Sequence, residues 1–243
     1  MTAYGLSDRG IVRANNQDTF RIVSSSESGH LIAVLCDGMG GVHGGEIASQ
    51  TAAEAFISYV QEKLSVWNAP ELAVIGREAA SYANLKVYDR AQRNENLLGM
   101  GTTLVAAILR GDETVMINIG DSRGYWFSDG KIQQVTRDHS HVQDLMDQGI
   151  ITKGEARSHP HRNLITRAVG VKDRIRSDIF RLDLHTSDRL LLCSDGLSNL
   201  VTEEELADVL ASEEDLKTCC DRLLAMALDR GAPDNVTVVI LSC

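Results

Sequence analysis

Two unbroken apolar runs constrain this chain most: LIAVLC from Leu31 and LLLC from Leu190, followed at once or after one serine by Asp37-Gly38 and Asp195-Gly196. Short apolar runs of this kind read as buried strands. Each therefore delivers a carboxylate to the rim of the core, where desolvation is costly unless a cation meets it. A single Asp-Gly is most simply a turn, as Asp129-Gly130 is here. Two that terminate buried strands ask for more.

Further strand signals run over Thr103–Leu109, Thr114–Ile119, Gly124–Ser128, Ile132–Val135, Ile179–Leu184 and Val236–Leu241. Arg110-Gly111-Asp112 and Asp129-Gly130 are short enough to predict hairpins, hence antiparallel pairing rather than βαβ winding. Helical spacing places Ala48, Ala52, Ala55, Phe56, Tyr59 and Val60 on one face, and Leu72, Ile75, Ala79 and Ala83 on another, with Asn68 and Glu71 as its predicted N-terminal cap. A third helix is predicted over Glu214–Arg230, with Leu216, Cys220, Leu223, Leu224 and Ala227 inward and Gly231 as its stop. Thr202 and Glu205 form a capping-box pattern. The order of elements predicts an α+β fold with helices layered outside antiparallel sheets. No Pro-rich or Gly/Ser-rich linker divides the 243 residues, and Ser24–Ser26 reads as a short loop, so a single domain is expected.

Lys and Arg number 24 against 34 Asp and Glu, a net charge of -10, which argues against nucleic acid and anionic membrane as partners. Positive charge gathers in one place: Lys153, Arg157, Arg162, Arg167, Lys172, Arg174, Arg176 and Arg181. Thr202–Asp215 has the opposite bias, with seven acids and no Lys or Arg. Five cysteines, an odd count, with Cys36 and Cys193 inside apolar strands, suit a reduced compartment, and no secretory leader pattern opens the chain. No apolar run approaches the ~20 residues of a membrane span. The expectation is a cytoplasmic protein.

Two more aspartates sit in glycine turns or before apolar strands: Asp121 in NIGDSRG and Asp234 in GAPDNVTVV. Several converging carboxylates repel one another, and hard divalent cations such as Mg²⁺ or Mn²⁺ resolve that conflict. The glycine after Asp37 allows a close backbone approach for carbonyl ligation. In RGIVRANNQDTF, Arg13 precedes Asp18 across an Asn15-Asn16 turn, and a guanidinium is the natural bidentate partner of a phosphate.

VRANNQD, CDGMGG, GMGTTL, GDSRGYWF, ITRAVG, LLLCSDGL and PDNVTVV occur in the order and at the separations seen in the metal-dependent protein phosphatases, the PPM or type 2C serine/threonine phosphatases. The chain resembles their compact bacterial members from about Gly5 to Leu241. The resemblance implies a central β-sandwich of two antiparallel sheets flanked by helices on both outer faces. It also implies a centre of two tightly held Mn²⁺ or Mg²⁺ ions and a third, weaker one. By matching position, Asp37 would bridge the first two metals, Gly38 would ligate through its carbonyl, and Asp195 and Asp234 would complete the pair. Asp121 with Asp195 would hold the third, Asp18 would act through water, and Arg13 would clamp the substrate phosphate. The implied reaction is hydrolysis of phosphoserine and phosphothreonine by a metal-bridging water, without a phosphoenzyme. The implied partners are phosphorylated proteins and an opposing serine/threonine kinase, and the implied state is a monomer. Met39 stands where many relatives outside bacteria carry a histidine, and His43 comes one place later than the histidine of the bacterial pattern.

Other chemistries fit less well. Cysteine phosphatases need Arg six places after the nucleophile, whereas Cys36, Cys193, Cys219 and Cys220 are followed there by Val42, Asn199, Ala225 and Met226. Cys36 and Cys193 read as small buried hydrophobes. Gly38–Gly45 lacks the Lys-Ser/Thr of a P-loop and the third glycine of a dinucleotide fingerprint. Gly99 and Gly101 read as close-packing glycines. His139, His141, His159 and His161 lack the Cys pairing of structural zinc sites and read as solvated or substrate-edge residues. They lie in a variable flap expected at about 139–176, whose positive charge suits acidic, phosphorylated segments. The alternatives are an inactive phosphoprotein-binding or scaffold member of the same fold, or a phosphatase dedicated to one signalling protein or small metabolite. Retention of Asp37, Asp195, Asp234 and Arg13 argues against the inactive version.

Overall fold

The computed structural model describes residues 1–25, 29–66, 68–212 and 215–242, with backbone only at 42, 43 and 157. In chain order its elements are β1 (Thr2–Asp8), β2 (Asp18–Ser25), β3 (His30–Met39), α1 (Gly41–Leu64), α2 (Leu72–Gln92), β4 (Gly101–Thr102), β5 (Leu104–Arg110), β6 (Glu113–Ile119), β7 (Arg123–Ser128), β8 (Lys131–Gln134), α3 (His141–Asp147), α4 (Lys153–Ser158), β9 (Asp178–Leu182), β10 (Arg189–Cys193), α5 (Asp195–Ser198), α6 (Glu203–Leu210), α7 (Leu216–Asp229) and β11 (Val236–Ser242). One sheet runs β1-β11-β10-β7-β8 and the other β2-β3-β5-β6-β9, with β4 added to β3. Every pairing is antiparallel.

The apolar runs are continuous because both of their faces are covered. In β3, Leu31, Ala33 and Leu35 face the space between the sheets, where they meet Val105, Leu109, Leu190, Leu192, Val239 and Leu241. Ile32, Val34 and Cys36 face the other way, into a layer with Phe56, Val60, Ile75 and Ala79 of α1 and α2. Across the second sheet, Leu191, Cys193, Val238 and Ile240 pack against Leu206, Val209, Cys220 and Leu223 of α6 and α7. The result is the predicted sandwich with helices on both outer faces. Each fully buried aliphatic side chain contributes about 1.5–3 kcal/mol.

Turn chemistry sets the hairpins. Ser128 pairs with Lys131, and Asp129 and Gly130 both take positive φ (50° and 74°), the two-residue turn that matches strand twist. Arg110 pairs with Glu113 around Gly111.

Several expectations are corrected. Glu71, not Asn68, precedes α2, and no side chain caps it; the Leu72 amide donates instead to Glu113 Oε1 at 2.8 Å, an acceptor 41 residues away that local pattern does not reveal. Ser24 and Ser25 belong to β2 rather than to a loop, while Ser26 lies outside the described residues. α7 starts after Asp215, whose side chain takes the Thr218 amide at 2.9 Å; Glu214 lies outside the described residues. Gly99 is there for its φ of +78° and has open space around it, whereas Gly101 is a close-packing position, where a Cβ would meet Val171 at 2.9 Å. His139 is buried at 1% exposure, not solvated.

Candidate active site

Strand direction gathers the singled-out carboxylates at one end of the sandwich. Asp37 is near the C-terminal end of β3, and Asp18, first residue of β2, stands directly opposite it in the register. β10 leads through Ser194 to Asp195, which opens α5, and Asp234 lies two residues before β11, the neighbour of β10. Asp121 sits in the turn from β6 to β7. One bond stitches the sheets together here: Thr237 Oγ1 donates to Asp18 Oδ2 at 2.6 Å, while within its own sheet the Thr237 carbonyl accepts the Ser194 amide at 3.1 Å.

Glycines allow the close approach. A Cβ on Gly38 would lie 2.0 Å from the Gly45 carbonyl oxygen, and one on Gly196 would lie 1.9 Å from that of Asn235. Asn235 in turn accepts the Gln17 amide at 2.8 Å and donates to the carbonyls of Arg9 and Asn15 at 2.8 and 2.9 Å. The loop carrying Arg13 is thereby fixed beside the loop carrying Asp234. Arg13 Nη2 donates to Asp234 Oδ2 at 2.7 Å, with both side chains partly exposed.

The electrostatics report convergence. Burial, then the charges of Asp18, Asp195, Asp121 and Asp234, push Asp37 well above the usual carboxylate range. Burial raises Asp121 to about 8, with Asp195 and Asp138 adding to it. Asp18 is raised to about 6 by burial, against the lowering effect of hydrogen bonds from Thr237 and Ser194. Asp195 is raised by burial and by Asp234. Asp18 Oδ1 is buried with no hydrogen-bond partner, an acceptor in want of a proton or a cation. Among the described residues no three His, Cys, Asp or Glu side chains stand close enough to hold an ion as they are. The donor set is nonetheless all oxygen and anionic, which suits a hard divalent cation and not a soft one.

Sequence reasoning missed the supports. Thr103 donates its amide to the Asp37 carbonyl at 2.8 Å, accepts the Asp37 amide at 2.9 Å on Oγ1, and shares a 2.7 Å hydroxyl bond with Ser122. Arg123 binds Asp138 through Nε and Nη2 at 2.7–3.0 Å. These pairs join residues distant in sequence or on different turns, so no local spacing signals them. Of the four histidines considered together, His141, His159 and His161 group with ring centroids 5.7–6.1 Å apart, and His139 lies apart from them, beneath the Asp121 turn. The side chains of His43 and Arg157 lie outside the described residues.

An antiparallel sandwich with helices on both outer faces and carboxylates gathered at one end is a class of fold and site that the comparisons with known proteins name. The family model described as Protein phosphatase 2C matches residues 11–235. The serine/threonine phosphatase stp of Listeria welshimeri is 37% identical over 235 residues, 97% of this chain and 93% of that one. The crystal structure of serine/threonine phosphatase Stp1 from Staphylococcus aureus superposes with a TM-score of 0.89 at 35% identity, covering 99% of this chain and 94% of that one. A crystal structure of the catalytic domain of the serine/threonine protein phosphatase PstP with 2 manganese ions gives 0.85 at 35% identity, covering 98% and 96%. The chain belongs to the protein phosphatase 2C family, the PPM phosphatases.

Proposed function

We propose that this protein is a metal-dependent serine/threonine protein phosphatase whose active site is the acidic end of the sandwich. The observation that carries this reading is the gathering of Asp18, Asp37, Asp121, Asp195 and Asp234 at one end of the sandwich, with Asp18 opposite Asp37 and Arg13 bonded to Asp234, in a chain of this family. Carboxylates that burial and one another hold above their usual range are what a functional site collects and a stable fold avoids.

In this reading Asp37, Asp195 and Asp234, with the Gly38 carbonyl, hold two Mn²⁺ or Mg²⁺ ions, and Asp121 with Asp195 holds a third. When bound, the ions supply an activated water nucleophile and neutralise charge developing on the phosphoryl group. The chain's own residues do the rest. Asp18, with one oxygen held by Thr237 and the other free of protein partners, orients and accepts a proton from water within the centre. Arg13 keeps donors of its planar fork beyond the one given to Asp234, and these bind two phosphate oxygens side by side. Thr103 and Asn235 keep the Asp37 and Asp234 loops from drifting.

The 139–176 segment is proposed as a flap and landing surface for phosphorylated, acidic protein segments, supported by its concentration of Lys and Arg in a chain of net charge -10. The substrates are phosphoproteins made by a serine/threonine kinase. A monomer in the cytoplasm suits this role, and no helix among the described residues is long and apolar enough to cross a membrane.

The test is hydrolysis of p-nitrophenyl phosphate and of a phosphothreonine peptide with Mn²⁺ and with EDTA. Turnover of both that needs the metal supports the reading. Turnover that persists after chelation and dialysis rejects it.

A further inference from the structure

His139 is buried, ionisable and outside the proposed chemistry, and its ring is bonded at both nitrogens. Nδ1 lies 3.0 Å from the Gly120 amide nitrogen. An amide can only donate, so Nδ1 is bare, and the proton of the neutral ring sits on Nε2. Nε2 lies 3.1 Å from Asp178 Oδ2, which accepts that proton's hydrogen bond. Arg167 Nη1, which also lies 3.0 Å from Nε2, spends its two hydrogens on Asp178 Oδ1 at 2.8 Å and on the Arg176 carbonyl at 3.1 Å, so it holds the carboxylate in place and donates nothing to the ring. Burial depresses the basicity of the ring, in keeping with a neutral imidazole.

Gly120 immediately precedes Asp121. Its φ is +108°, and a Cβ there would lie 2.8 Å from Thr103 Cβ. Its carbonyl is also taken, by the His139 amide at 2.9 Å and Asn118 Nδ2 at 3.2 Å. Thus His139 grips both polar groups of the residue that aims Asp121. Ser122, on the other side of Asp121, is bonded to Thr103, which is bonded to the Asp37 backbone.

We propose that His139 is a positioning residue for the Asp121 turn: the Asp178 carboxylate, itself held by Arg167, fixes its Nε2–H tautomer, and the bare Nδ1 so created accepts the Gly120 amide. The base of the 139–176 segment and the metal-facing turn are thereby one rigid unit. The consequence for turnover rests on the reading of Asp121 as a metal ligand; the grip on Gly120 does not.

Asparagine and glutamine separate the two nitrogens. In His139→Asn the side-chain oxygen falls near Nδ1 and still accepts the Gly120 amide. In His139→Gln the amide reaches toward Asp178 and leaves Gly120 without an acceptor. Gly120 amide exchange, followed by NMR without added metal, is expected to stay slow in His139→Asn and to accelerate about tenfold or more in His139→Gln. The Mn²⁺ concentration for half-maximal turnover of p-nitrophenyl phosphate is expected to rise about tenfold in His139→Gln and to stay near wild type in His139→Asn. A role in stability alone would instead order both readouts by melting temperature. Equal exchange in the two variants overturns the proposal. Should either variant fail to fold, ¹⁵N spectra of the wild-type imidazole decide: an unprotonated Nδ1 hydrogen-bonded to Gly120 upholds it, and a protonated Nδ1 overturns it. Asp121→Asn tests the other reading separately: if it leaves the Mn²⁺ dependence untouched, Asp121 is no ligand, and the exchange results still judge His139.

Discussion

Arg13 and Asp234, 221 residues apart, are joined by a 2.7 Å hydrogen bond between a guanidinium and a carboxylate. The contact raises the basicity of Arg13 further, chiefly through that bond, so the side chain is a permanent cation beside Asp234, Asp37 and Asp195. Arg13→Ala is expected to lower kcat/KM for p-nitrophenyl phosphate by roughly 10–100-fold, the worth of a charge-assisted hydrogen-bond pair. Stability should change by less than about 1 kcal/mol, because the pair is half exposed and screened. Steady-state kinetics with a parallel thermal melt separate the two effects.

Asp37 is held above the usual carboxylate range by burial and then by four other aspartates. Asp37→Asn removes one anion from that group. Its expected signature is double: hydrolysis is lost and Mn²⁺ no longer raises the melting temperature, while in EDTA the variant melts no lower than wild type. Calorimetry with and without Mn²⁺ reads both halves. A variant markedly less stable than wild type in EDTA would show that Asp37 is structural.

What could be read from sequence depended on whether a residue's role is set locally. β3 was legible because its two faces are both buried, leaving an unbroken apolar run. β1 carries no such signal, because TAYGLSD mixes polar and apolar residues at the sheet edge and is a strand only through its ladder with β11. The Asn68–Glu71 cap failed for the same reason in reverse, since the Leu72 amide found Glu113 through the fold. Asp37, Asp195 and Asp234 announced themselves through apolar and glycine neighbours. Thr103 and Ser122 fall inside the motifs GMGTTL and GDSRGYWF and His139 stands among the histidines weighed for zinc, but their roles come only from bonds to Asp37 and Gly120 that the fold creates.

Gly196 illustrates a site built by backbone contact. A methyl group there would meet the Asn235 carbonyl oxygen at 1.9 Å, and backbone cannot swing aside as a side chain can. Gly196→Ala is therefore expected to destabilise by about 1–3 kcal/mol or more and to disturb Asp195 and Asp234 together. Gly154→Ala, inside α4 with its nearest neighbour at 3.9 Å, serves as the control and should stabilise slightly. Denaturant titration of both variants checks the contrast.

If the basic 139–176 segment receives protein substrates, reversing Arg157 and Arg162 to Glu should spare small phosphates. Turnover of p-nitrophenyl phosphate is expected to stay within about twofold, while kcat/KM for a phosphorylated protein falls about tenfold or more, with a weakened dependence on salt. Equal losses on both substrates would place these arginines in the chemistry or the fold instead.

Glu205 gives a pH-dependent prediction away from the cleft. It closes the capping box with Thr202 and accepts both Nη groups of Arg230 at 2.7 and 2.5 Å, and the Arg230 bond, then the Thr202 amide, holds its carboxyl down at about 2. The folded value lies below the unfolded one near 4.3, so the protein gains from this group above pH ~4 and loses the gain as pH falls toward 2. Glu205→Gln should therefore melt below wild type at pH 7, and the gap should close on acidification. Melting curves at pH 7, 5 and 3 test the sign; a gap that widens in acid would mean that the carboxylate is not the group being held.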